Sequence, residues 1–65
     1  MIRKPAVMLD QWDLGRVVIL KHGNAEVFGK LESFEHRATS VDVHLSSGRV
    51  ITMALDEDLL VDGPE

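Results

Sequence analysis

The sequence predicts an all-β protein, a small five-stranded barrel with a short helix or arm at its N-terminus, and three features carry that expectation. Residues 15–55 alternate apolar and polar with only short turns between runs. Between Glu26 and Glu32 the charges of Glu26, Lys30 and Glu32 share one face, while Val27, Gly29 and Leu31 share the other. A period of two marks a sheet with one buried and one wet side. The run from Ala25 to about Glu35 is long for one strand and carries Gly29 on its inward face, where a bend fits. Finally, 65 residues without a cysteine leave no disulfide to hold an open sheet, so closure or partner subunits must protect its edges.

Each element follows in order. Residues 1–14 form a helix or an arm laid across the barrel: Pro5 suits a first helical turn, Met8 and Trp12 stand four apart, and Asp13 with Gly15 ends the run. As the largest apolar group, Trp12 is expected to be packed. The barrel occupies residues 15–62. Its first strand covers about Arg16 to Lys21, apolar on both faces from Val17 to Leu20, as for a strand covered on both sides. His22, Gly23 and Asn24 make the turn into the long second strand, where the phase slips near Ser33 and Phe34 and signals a bulge. After a turn at residues 36–39, the third strand turns Val41, Val43 and Leu45 inward and Asp42 and His44 outward. Ser46, Ser47 and Gly48 close a hairpin onto a fourth strand with Ile51, Met53 and Leu55 alternating. Asp56, Glu57 and Asp58 suit one helical turn capped by Asp56, Leu59 to Val61 form a fifth strand, and residues 63–65 are a frayed tail.

Charge is uneven along the chain. Up to Arg37 there are six basic and five acidic residues; beyond it Arg49 stands alone against six acids, within a net charge of −4. An acidic C-terminal segment repels phosphate backbones, so any nucleic-acid contact belongs to the N-terminal part. No apolar run is long enough to span a membrane or to serve as a signal-peptide core, which makes the cytoplasm the expected compartment.

Val17 to Gly23, followed by Val27 to Glu35, resembles the first signature motif of Sm-like proteins, the group that includes the bacterial Hfq RNA chaperones. That motif has a hydrophobic strand, a turn glycine, a glycine in the bent second strand, and a phenylalanine followed by an acid. Gly23, Gly29, Phe34 and Glu35 occupy those positions, over a match covering about residues 16–45. The resemblance implies an SH3-like or Sm-like barrel and ring assembly through the fourth and fifth strands. It implies a base-reading loop after the second strand, but Thr39 stands where the family has Asn. The residues from Met53 to Asp56 replace the family's basic-glycine pair, and the Tyr-Lys-His signature of the Hfq branch is absent.

Two functional readings follow. In one, the chain is a self-associating single-stranded RNA-binding module in which Lys21, His22, His36 and Arg37 cluster at one barrel end and supply charge and stacking. In the other, it is an acidic adaptor that docks on a protein partner or on copies of itself and binds no nucleic acid. Neither is enzymatic. No phosphate loop, nucleophile elbow or metal-ligand spacing occurs, no cofactor is implied, and His22, His36 and His44 read as exposed polar residues.

Overall fold

In the computed structural model, which describes residues 1–63, six antiparallel strands form one sheet in the order β1-β6-β2-β3-β4-β5. The strands are β1 (Ile2–Pro5), β2 (Val17–His22), β3 (Ala25–His36), β4 (Ser40–Leu45), β5 (Val50–Ala54) and β6 (Asp58–Val61). Five of them are the expected strands within a residue or two. The sixth, β1, lies in the expected helix or arm, and no hydrogen-bonded ladder joins β5 to β1, so the sheet does not close. Its radius of gyration, 10.4 Å, is nevertheless that of a compact domain of this length, because the sheet bends over itself.

β3 makes the bend. Its first half pairs with β2, from Val17 opposite Lys30 to His22 opposite Ala25, and its second half pairs with β4, from Leu31 opposite Leu45 to His36 opposite Val41. The register shifts between Leu31 and Ser33, leaving Glu32 as the extra residue of a bulge. Before the bulge, odd-numbered Val27 and Leu31 point inward; after it, Phe34 packs against the core. Gly29 stands on the inward side, and a Cβ there would lie 3.5 Å from Leu45 Cδ1.

The concave side is filled by Val18, Leu20, Val27, Leu31, Val41, Val43, Leu45, Ile51, Met53, Leu59 and Val61, with Ala6 and Leu9 from the N-terminal segment as a lid. That segment has no α-helix. β1 pairs with β6, from Ile2 opposite Val61 to Pro5 opposite Asp58. Proline is admissible there because β1 ends the sheet and need not donate outward. Two short 3-10 turns follow, Ala6–Met8 and Gln11–Asp13. The Ala6 N–H donates to the Glu57 carbonyl at 2.9 Å and the Val7 N–H to that of Leu55 at 3.1 Å, so the segment continues along the β5–β6 connection. Residues 55–57 make a plain turn rather than a helical one: the Glu57 carboxylate, not that of Asp56, accepts from the Ala54 N–H at 3.2 Å. Of the expected frayed tail, Pro64 and Glu65 lie outside the described residues. No helix among the described residues is long and apolar enough to cross a membrane.

Trp12 is the main departure within the N-terminal segment, at 74% exposure. Its neighbours explain it. The Asp10 carboxylate accepts from the Trp12 N–H at 2.9 Å, while that of Asp13 accepts from the Asp10 N–H at 3.0 Å and from Lys4 Nζ at 2.8 Å. This reciprocal cap turns Asp13 inward, 6% exposed, and leaves the adjacent indole on the outside.

Candidate interaction surfaces

Strand pairing sorts the outward side chains into rows, because directly opposed residues of an antiparallel pair share a face. One row crosses four strands: Arg3 of β1 stands opposite Leu60 of β6, Leu60 opposite Ile19 of β2, and Ile19 opposite Phe28 of β3. Ile19 and Leu60 are half-buried, and Phe28 is 74% exposed. In the neighbouring rows Val17 stands opposite Lys30, and Lys21 opposite Glu26. The double-sided apolar run of β2 therefore has core on one side only, since the N-terminal segment lies beside β6 rather than over Ile19. A cavity of about 350 Å³ opens beside this row rather than at Phe28, which does not line it: Ile19 and Leu60 do, together with buried Leu20 and Leu59, and Arg3, Lys21, Glu26 and Asp58 supply its charges.

The outer face of the other half is polar. Glu35, Asp42 and Thr52 stand opposite one another on β3, β4 and β5. Arg37 Nε donates to Asp42 at 2.8 Å, Thr52 Oγ1 donates to the other Asp42 oxygen at 2.8 Å, and Arg37 Nη2 lies 3.5 Å from Glu35. The Thr52 hydrogen bond, then that from Arg37, holds the Asp42 carboxyl below its ordinary value, and the same pairing raises Arg37.

The four residues expected to contact RNA fall into two pairs. Lys21 and His22 end β2 at the hairpin into β3, with His22 opposite Ala25; the His22 side chain lies outside the described set. His36 and Arg37 lie at the far end of β3. His36 packs edge-on against Phe34, with ring centroids 5.2 Å apart. The structure brings His36 and Arg37 together and separates them along β3 from Lys21 and His22. Arg37 is occupied by two carboxylates. His36 and His44 lie on different faces: His36 stands opposite Val41, whose side chain is in the core, and His44 lies on the outer face with Asp42. Among the described residues no cluster of three His, Cys, Asp or Glu side chains could hold a metal ion.

Sequence reading overlooked Phe28 and Arg3 as surface residues. For Phe28 the signal was present, since position 28 has the same parity as the charged Glu26 and Lys30. For Arg3 there was none, because its place depends on β1 pairing with β6. No protein-family model matches the chain, and no curated protein and no solved structure is detectably similar to it.

Proposed function

We propose that this chain is a non-enzymatic interaction module whose outer face, centred on Phe28, takes a polypeptide partner. The observation that carries the reading is the exposed Phe28 ring at the end of the continuous row through Ile19 and Leu60. Burying a phenylalanine is worth about 1.5–3 kcal/mol, and a sheet that leaves one in water beside further apolar side chains forgoes that stabilisation. An exposed phenylalanine continuous with half-buried apolar neighbours favours a contact surface, whereas an isolated apolar residue does not. The charges around it suit a polypeptide better than a polyanion. Arg3 and Lys21 are mixed with Glu26, Glu57 and Asp58 around the cavity, and those acids would repel a phosphate backbone.

The RNA reading asks for cations at the ends of β3, where Arg37 already serves Asp42 and Glu35. One experiment separates the two. Peptides selected from a displayed library, and separately short single-stranded RNAs at low salt, are titrated into isotopically labelled protein and followed by NMR. The expected result is peptide-induced shifts at Arg3, Ile19, Phe28 and Leu60, abolished by Phe28→Ser. Shifts caused only by RNA, centred on His36 and Arg37 and lost with added salt, would overturn the proposal in favour of the RNA-binding module.

A further inference from the structure

The open sheet leaves strand edges, and among the described residues those of β1 and β3 carry recognised protection. β1 presents Arg3, Lys4 and Pro5. The half of β3 without β4 beside it carries Glu26 and Lys30, and the half without β2 beside it carries Glu32 and Glu35. Charges and proline are the usual devices that keep an exposed edge from pairing. β5, Val-Ile-Thr-Met-Ala, has neither.

Its hydrogen-bonding pattern identifies which groups are available. The Leu45 N–H donates to the Arg49 carbonyl at 2.8 Å, which places Arg49 in a hydrogen-bonded pair. Alternation then gives Ile51 and Met53 to the β4 ladder and turns the N–H and C=O groups of Val50, Thr52 and Ala54 outward. Ala54 is already capped: the Glu57 carboxylate accepts from its N–H at 3.2 Å and the Glu57 N–H donates to its carbonyl at 3.1 Å. Among the described residues, Val50 and Thr52 remain, two residues apart.

We infer that β5 pairs antiparallel with β5 of a second copy about a twofold axis at Ile51, joining two six-stranded sheets into one. Val50 of each copy then faces Thr52 of the other, and the two pairs exchange four backbone hydrogen bonds. Val50, half exposed in the single chain, gains a neighbour on the outer face. Charge favours this partner and direction. Arg49, the single base beyond Arg37, lies in the β4–β5 hairpin, and Asp56, Glu57 and Asp58 lie in or beside the turn at the other end of β5. Antiparallel self-pairing brings each basic hairpin beside the other copy's acidic turn, whereas parallel pairing would bring acid against acid. A closed ring through β5 and β6 is a different arrangement, and it would require β1 to leave β6, both of whose sides are occupied. The inference does not depend on the Phe28 face.

A five-residue seam buries little area, so dimerisation is concentration-dependent. Sedimentation of the full chain over a concentration series is expected to show a monomer–dimer equilibrium. Val50→Lys, a substitution on the outer face, is expected to weaken it at least tenfold at unchanged circular dichroism. Because the chain has no cysteine, the register can be read directly: a mixture of Val50→Cys and Thr52→Cys chains should form a mixed disulfide in preference to either self-disulfide. A monomer at the highest concentration, a closed ring of more than two copies, a Val50→Lys dimer as tight as the parent, or cross-linking without preference for the mixed pair would each overturn the inference.

Discussion

Asp13 shows how one side chain fixes the path of the N-terminal segment. Buried, and bonded to Lys4 and to the Asp10 N–H, it ties β1 to the second 3-10 turn. Asp13→Ala removes both bonds and leaves Lys4 partly buried without its partner. Hydrogen bonds to charged groups are worth about 1.5–3 kcal/mol, and a loss of that order is expected in urea denaturation. The same turn sets the exposure of Trp12. Tryptophan emission should be red-shifted and fully accessible to acrylamide; blue-shifted emission shielded from the quencher would mean that the indole packs. The sequence suggested a packed Trp12 because large apolar groups are usually buried. The cap that turns it outward relies on Asp10 and Asp13 acting together, a pairing that composition and hydropathy do not display.

At the scale of elements, β3, β4 and β5 were legible from their alternation, and β2 and β6 as short apolar runs bounded by polar or glycine turns. The bend in β3 was legible too, since Gly29 and the slip in phase both lie where the strand changes partners. β1 was not: Ile-Arg-Lys-Pro is too short to show a period, and it becomes a strand because β6 offers an edge. The Gly29 site makes a graded prediction. A single Cβ would meet Leu45 at ordinary van der Waals distance, so Gly29→Ala should be tolerated. Gly29→Val adds two methyl groups against Leu45 and should lower stability by about 1–3 kcal/mol, read as a shift in the denaturation midpoint. Equal midpoints for the parent and the valine variant would mean that Leu45 does not close over that position.

For the whole molecule, stability in acid depends on the polar outer face of β3, β4 and β5. The Asp42 carboxyl is held below its ordinary value of 3.8 by Thr52 and Arg37, so the unfolded chain takes up its proton first as pH falls. Its contribution is therefore fully present above the ordinary value and is lost as pH drops through the lower, folded one. Melting temperature measured between pH 6 and pH 2 should fall in that acid range, and Asp42→Asn should flatten part of the decline. Of the candidate site, the sequence displayed the parity of Phe28 but not its setting, which needs four strands in register. The four expected RNA contacts rest on residue type and turn position, and β3 separates them into two pairs along its length.

The central claim is that Phe28 faces solvent and is kept for contact rather than for packing. It is tested most directly by measuring the unfolding free energy of Phe28→Ala by urea titration. Solvent-facing substitutions stay within about 0.5 kcal/mol, whereas truncating a core phenylalanine costs about 3–5 kcal/mol. A change in the first range, together with loss of peptide binding to the Arg3–Leu60–Ile19 face, is the predicted result. A loss in the second range would contradict the account, because Phe28 would then belong to the core.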